Sequence, residues 1–370
     1  MKKNLILFLF VIWFSRNASG QINCDNVLDD AQSLYNSGKY SECSQALESA
    51  LKTCGLSKNK KEKAYELLIN AGLESDNDAQ VSKYFKKFLE GDPLFDINDY
   101  EALDEFKLHF KQFEIFPRLT FGLRMQGVAP AFPVQKVYTA TPRTNSGNKY
   151  TPNDSYYVGG TMEFRFHEKW ACTLEFTQTN LSYSRTISSN SWDNGIISAD
   201  SWLLNYSENM IYTEIPVSIK YYEKAGTIAR TSKKKLITTY LQFGINNQFL
   251  NSSSSTASLK GYTQDPYTLQ YRAKNSGNSQ YNTTSMRSSY IASPFAGLGF
   301  IVTKGRFALS LDMRYAYSLN SGNDKNSRYA VPELISQYNY IDNDMRISRL
   351  EMGLTLYYHF SFKAKTIKQK

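Results

Sequence analysis

From residue 117 to the end of the chain, apolar and polar side chains alternate with a period of two, segment after segment. In "YTEIPVSIKYY", residues 212–222, Ile215, Val217, Ile219 and Tyr221 form one set and Glu214, Pro216, Ser218 and Lys220 the other. That period puts the two sets on opposite faces of a strand. Eight such segments are predicted, at 117–125, 156–167, 171–184, 211–222, 236–249, 290–303, 306–318 and 347–362. The connections alternate in length. Three residues, "EKW", join the second and third strands and "KG" joins the sixth and seventh, whereas about twenty-five to forty residues follow the first, third, fifth and seventh. Long loops at one end and short turns at the other describe an up-and-down antiparallel barrel.

The alternation alone leaves two environments open. A soluble eight-stranded lipid carrier encloses its apolar face, and a membrane barrel turns it outward. Several segments reach 14–16 residues, longer than the roughly 9–11 needed to cross a bilayer. Rings cluster near both segment ends, at Phe166, Trp170, Tyr221, Tyr222, Phe307, Tyr358 and Phe360 on one side and at Tyr156, Tyr157, Tyr212, Tyr290 and Tyr317 on the other. Two aromatic belts are what membrane interfaces select, and the chain carries 27 Tyr against 22 Phe. The expectation is therefore lipid outside, with Glu163, Arg165, Glu175, Glu214, Lys220, Asp312, Arg314 and Glu351 forming a polar network in the lumen. Pro216 falls on the inward set, where a carbonyl deprived of its donor finds polar groups or water.

The first twenty residues, "MKKNLILFLFVIWFSRNASG", read as a secretory signal peptide: two lysines, a ten-residue apolar run, then small residues. Cleavage near Gly20 would lower the formal net charge from +9 to +6. Residues 21–115 have the helical period. Ala31 and Leu34, a turn at Gly38, Tyr40, then Cys43, Leu47 and Ala50 resemble a tetratricopeptide hairpin, and a looser pair spans 60–93 before a last helix at 100–113. If the first pair reverses at 37–39, Cys24 and Cys54 fall side by side and could form a disulfide, which export permits. The expected fold class is α plus β in two domains. A small periplasmic helical, tetratricopeptide-like domain (21–115) is followed by an eight-stranded antiparallel transmembrane β-barrel (116–362) and a basic tail (363–370).

The segments "YTEIPVSIKYY", "TTYLQFGINNQF", "SPFAGLGFIV" and "RFALSLDMRYAYSLNSG" resemble the PorT-type outer-membrane barrels of Bacteroidota, over about residues 117–362. The resemblance implies an outer-membrane location; some members of that family take part in protein secretion, and most have no assigned activity. A helical prelude is absent from the simplest members.

No motif for chemistry emerges. The three histidines, His109, His167 and His359, are scattered, and no G-x-S-x-G, H-E-x-x-H, Walker loop or zinc spacing occurs. "NSSSSTAS", 251–258, reads as a polar low-complexity loop. Lys233, Lys234 and Lys235, with the lysines of the tail, suit headgroup anchoring, or docking to an acidic periplasmic partner. No cofactor, metal or nucleic acid is expected. The functional expectation is a non-enzymatic barrel anchoring a periplasmic domain that binds a partner in secretion or envelope assembly. The alternatives are a barrel that binds glycans or other surface ligands through its long loops, and a small pore.

Overall fold

The computed structural model describes residues 24, 26–95, 97, 104–138, 150–153, 155–189, 192, 194–195, 197–198, 201–223, 236–265 and 267–366. The signal-peptide reading, Lys233, Lys234 and Lys235, and Lys368 and Lys370 lie outside the described residues. The chain divides into two compact units at Phe116 and Pro117, with Phe362 and the residues after it grouped with the first.

The first unit is built from helices α1 (Val27–Asn36), α2 (Tyr40–Thr53), α3 (Lys58–Glu74), α4 (Asp78–Gly91) and α5 (Asp104–Lys111). Each buries one stripe: Val27 and Ala31, then Cys43, Leu47 and Ala50, then Ala64, Leu68 and Ala71, then Val81, Phe85 and Leu89, then Phe106 and Phe110. The chain reverses between α1 and α2 at Gly38, whose φ of +76° suits a residue without a Cβ. Ser37 Oγ donates to the carbonyls of Ser33 and Leu34, both at 3.0 Å, which satisfies orphan groups at the helix end. Gly72 lets α3 and α4 approach, because a Cβ there would lie 2.9 Å from Val81 Cγ2. Gln80 joins three helices, donating to Ser44 Oγ at 2.8 Å and to the Leu68 carbonyl at 3.0 Å. Cys24 and Cys54 are bonded, with their Cα atoms 5.7 Å apart. Cys43 is a buried free thiol.

The last helix ends at Lys111, two residues before the 113 expected from the sequence; residues 100–103 lie outside the described residues. Backbone pairing begins at Phe113, so the first strand starts inside that segment. Phe113 stacks on Phe85 at 5.5 Å and Phe85 meets Phe106 at 4.6 Å, so the switch of period occurs within one aromatic cluster.

Eight long strands form the second architecture: β1 (Phe113–Ala131), β2 (Ser155–His167), β3 (Trp170–Ser188), β4 (Trp202–Tyr222), β5 (Leu236–Gln264), β6 (Tyr290–Lys304), β7 (Phe307–Tyr317) and β8 (Ser348–Thr366). Each pairs with the next, and β8 pairs with β1, so the ring closes without a free edge. The tight turns lie at 168–169, between β2 and β3, and at Gly305, φ +61°, between β6 and β7. The opposite, loop end is far more structured than the sequence suggests. β3, β4 and β5 run on well past the predicted segments, and "NSSSSTAS" is paired strand inside β5 rather than a loop. Thr151–Pro152 adds to β3, Tyr271–Asn275 and Ser279–Asn282 add to β5, and Val134–Lys136 pairs with Asp344–Met345. A further helix, α6 (Pro332–Tyr338), lies in the β7–β8 connection. At the other end β8 continues through Lys363 and Lys365, which the sequence assigned to a tail.

Three rings assigned to belts are buried instead: Tyr157, Tyr212 and Tyr222. The three tyrosines sit at alternate positions whose neighbours point outward, so parity decides their side.

Replacing Cys54 by Ser is expected to destabilise the helical unit by roughly 3–4 kcal/mol, because a 30-residue separation is no longer cross-linked in the unfolded chain. Limited proteolysis of the full chain, with peptide mapping before and after reduction, checks this. Equal protection of helices α1–α4 in the variant would contradict it.

Candidate functional site

The side chains of the barrel sort by parity. Outward positions carry Leu123 and Met125 on β1, Phe164 on β2, Leu174 and Phe176 on β3, Val217 and Ile219 on β4, Leu241, Phe243 and Ile245 on β5, Leu309 and Leu311 on β7, and Leu354 and Leu356 on β8, all exposed. Leu123 is 70% exposed and Phe176 64%. A continuous apolar surface of this extent is incompatible with water on a soluble monomer and matches a hydrocarbon solvent. Trp170 and Tyr221 pack together at 4.9 Å near the turn end of this belt. Cys172 faces outward on the same surface.

Inward positions carry the charges. All eight residues expected in the lumen are there and buried. Nearest the tight turns, Lys220 Nζ donates to Glu163 at 3.0 Å and to Tyr357 Oη at 3.0 Å, and Arg165 approaches Glu163 at 3.4 Å. Tyr222 donates to the same carboxylate at 2.6 Å, and the Arg165 guanidinium lies 3.8 Å above its ring. His359, on β8, meets Thr120 Oγ1 at 3.0 Å.

The middle layer is a quartet. Arg124 holds Asp312 through two donors at 2.6 and 2.8 Å and lies 3.6 Å from Glu175. Arg314 pairs with Glu175 through both terminal nitrogens and reaches Asp312 at 3.3 Å. Tyr240 adds a donor to Asp312 at 3.0 Å. Gly353 makes the quartet possible: a Cβ there would come within 2.2 Å of Arg124 Nη2. In the layer above, Arg349 donates to Glu214 at 2.6 Å and lies 3.1 Å from Glu351, while Asn246 and Gln248 donate to Glu214 at 2.6 and 2.8 Å. Gln126 accepts from Arg124 at 2.8 Å, so it connects the two layers on the way to Glu351. Five carboxylates (Glu163, Glu175, Glu214, Asp312 and Glu351) thus meet five cations (Arg124, Arg165, Lys220, Arg314 and Arg349).

Pro216 lies on this buried side. The β3–β4 ladder runs to Leu174 opposite Val217, is interrupted, and resumes at Thr177 opposite Glu214. The gap is where a proline nitrogen has no hydrogen to give. On the other side Pro216 stays in register with Asn246, and Asn247 Nδ2 donates to the Ile215 carbonyl at 3.1 Å.

Arg124, Gln126 and Arg349 went unrecognised in the sequence. Their parity was legible: Arg124 sits between Leu123 and Met125, and Arg349 shares a face with Glu351. Wholly illegible was a second core at the loop end. There the inward positions of the same strands become apolar, and Leu181, Tyr183, Leu204, Tyr206 and Met210 point inward against Leu334, Tyr338, Tyr340 and Ile347. β5 carries a bulge at Asn251, because Tyr212 pairs with Leu250 and Ile211 with Ser252, and its inward set passes from even to odd numbers there. Within this cap Glu208 pairs with Arg287 and accepts from Tyr183 at 2.6 Å and Tyr206 at 2.8 Å. Asp342, in the β7–β8 connection, pairs with Arg287 and accepts from Tyr150 at 2.7 Å, Asn323 at 2.9 Å and Tyr340 at 3.1 Å. Burial would raise the Asp342 carboxyl, but Arg287, the Tyr150 hydroxyl and Arg185 outweigh it and hold it below the ordinary carboxylate range.

Among the described residues, no group of three or more His, Cys, Asp or Glu side chains could hold a metal ion. No protein-family model matches the sequence, and no curated protein matches it. Among solved structures, the outer membrane protein OprG from Pseudomonas aeruginosa is similar at 13% identity and a TM-score of 0.35, over 66% of this chain and 97% of that one. Ail, the attachment invasion locus protein of Yersinia pestis, is similar at 9% identity and 0.23, over 66% and 99%. Neisserial surface protein A gives 11% and 0.25, over 65% and 97%. The fold of this chain rests on its own closed strand ladder.

Two predictions follow the electrostatics. Arg349→Leu leaves Glu214 without its cation and is expected to cost about 3–5 kcal/mol, whereas the double variant Arg349→Leu, Glu214→Leu recovers most of the loss. Heat-dependent electrophoretic mobility of the folded barrel reads both, and a double variant no better than the single one would contradict the pairing. Because the Asp342 carboxyl is depressed in the folded chain, its contribution is full above the ordinary unfolded value and is lost as pH falls through the lowered one. Proteolysis of residues 318–347 should therefore accelerate at acid pH before the barrel unfolds; equal rates at acid and neutral pH would contradict this.

Proposed function

We propose that this chain is a non-enzymatic outer-membrane barrel that fixes a periplasmic, partner-binding helical domain to the membrane. The observation that carries the reading is the inside-out barrel, with Leu123, Phe176 and Val217 exposed on its surface and the Arg124–Asp312–Arg314–Glu175 quartet sealed within. A signal peptide followed by such strands suits the outer membrane, because barrels leave no unpaired backbone in lipid. A Cys24–Cys54 bond suits an oxidising compartment. With the tight turns at 168–169 and Gly305 on the periplasmic side, residues 21–115 and the basic end of the chain face the periplasm, and the cap faces outward. Paired helices of tetratricopeptide type offer grooves for peptides or helices, so the partner is a secretion or envelope-assembly protein. The PorT-type resemblance is consistent with that role. Lys233, Lys234 and Lys235 would then meet lipid headgroups or the partner's acidic surface.

A second reading is favoured by the cap itself: β3, β4 and β5 carry an ordered sheet past the apolar belt, which is more structure than anchoring needs. It places ligand binding, to glycans or surfaces, at the loop end. A small pore is the third, and the ion-paired lumen gives it no open path.

Membrane fractionation with urea washing, followed by chemical cross-linking and co-purification of the full chain from native membranes, tests the first reading. The expected result is urea-resistant outer-membrane retention and an envelope protein that is lost when residues 24–111 are deleted. Recovery of the chain in the soluble fraction would sink it, as would partners unchanged by the deletion.

A further inference from the structure

The sheet that extends beyond the apolar belt has one face covered by the cap core and one face open. On the open face, side chains fall into cross-strand rows. Ser182, Asn209, Ser254 and Asn282 are mutually in register across β3, β4, β5 and Ser279–Asn282. The next row is Ser184, Ser207, Thr256 and Gln280, and the third is Thr186, Asn205 and Ser258. All are exposed or half-exposed, while their sequence neighbours Tyr183, Tyr206, Glu208 and Ala257 are buried on the other side. Thr186 Oγ1 donates to Asn205 at 3.3 Å; among the described residues, the hydroxyls of Ser207, Ser254, Thr256 and Ser258 have no side-chain partner.

Every one of these eleven positions is an uncharged hydroxyl or carboxamide. At the chain's average of 21% charged residues, about two would carry a charge, and solvent-facing strands usually carry more. Hydrocarbon is excluded as the occupant, because unpaired polar groups are costly there. An anionic polymer or lipid headgroup would need a cluster of cations; none stands in these rows, and the next row along the same face contributes the single exposed Lys260. What remains complementary is a neutral, polyhydroxylated chain. Hydroxyls and carboxamides both donate and accept, and they recur here about every 4.8 Å across strands and about 6.8 Å along them. A repeating ligand can engage such a lattice through many individually weak contacts. Past Lys260, on the same parity, Tyr262 packs against Trp192 with ring centroids 5.9 Å apart, which supplies an apolar platform for a pyranose face.

We infer that this open face binds a neutral polysaccharide, with the Trp192–Tyr262 pair seating one sugar ring and the Ser207–Thr256 row aligning the chain. The inference rests on the second reading above, that the loop end faces outward. The test uses the full chain in lauryldimethylamine oxide, because maltoside and glucoside detergents carry competing sugars. Dextran, laminarin and yeast mannan serve as probes in affinity electrophoresis, with dextran sulfate as the charged comparison. At least one neutral polymer is expected to retard the protein, by an amount insensitive to salt. Thr256→Arg and Trp192→Ala should each weaken this about tenfold or more, about the loss of one or two good contacts. Arg272→Gln, off the face, should leave it unchanged, and heat-shifted mobility confirms that each variant is folded. No retardation by any neutral polymer overturns the inference. So does retardation untouched by both substitutions, or stronger, salt-sensitive binding of dextran sulfate. Labelling of Ser207→Cys on intact cells with a membrane-impermeant maleimide tests the outward orientation separately, so failure of binding and failure of orientation are distinguishable.

Discussion

Hydrocarbon accepts no unpaired polar group, and that constraint organises the barrel. Because the outward positions of the belt are given to Leu, Phe, Ile, Val and Met, the charges at its mid-height are forced inward, while Arg118 and Lys304 stand exposed at its turn end. Eight strands enclose little space, so inward charges must pair with each other or remain unsolvated. The Arg124–Asp312–Arg314–Glu175 quartet is the outcome. Gly353 exists at the position where Arg124 crosses, and Tyr240 donates into the same carboxylate. The lumen is a solid of ion pairs, and its neutrality follows from the count of partners rather than from any single bond.

The same strands obey a second rule once they leave that surroundings. Toward the loop end the inward positions of β3 and β4 change from polar to apolar, and Leu204, Tyr206 and Met210 pack against the β7–β8 connection. β3 and β4 each keep one parity from end to end, so what changes on their inward face is residue type, while β5 carries a bulge at Asn251 that offsets its own inward set by one. The two arrangements that the alternation left open, greasy outside and greasy inside, therefore occur in one molecule, stacked along one set of strands. The cap gives the loop end an ordered surface, with a neutral polar face exposed on its flank. Function placed there depends on rigid sheet rather than on mobile loops.

The helical unit follows different physics. Its helices bury Ala31, Ala50, Ala64 and Ala71 at contacts, and small residues allow close approach. Glycine at position 72 extends the same economy of space to the α3–α4 pair. The Cys24–Cys54 bond ties the open end of the first pair, at the end remote from the Gly38 turn.

Much of this was present in the chain as written. Period-two alternation with tight connections at 168–169 and Gly305 determined eight antiparallel strands, and parity alone put Glu163, Glu175, Glu214, Lys220, Asp312 and Arg314 on one side. Period is a local property, so local sequence carries it. What only the tertiary structure decided were the properties that depend on residues far apart in the chain. Which cation meets which carboxylate is one, since Arg124 and Asp312 are 188 positions apart. The second core, which brings Leu181 and Leu204 against Leu334 and Tyr340, is another, and so is the extension of "NSSSSTAS" into paired strand. A serine run has no strand propensity of its own; it becomes strand because β4 and Ser279–Asn282 supply hydrogen bonds on both edges.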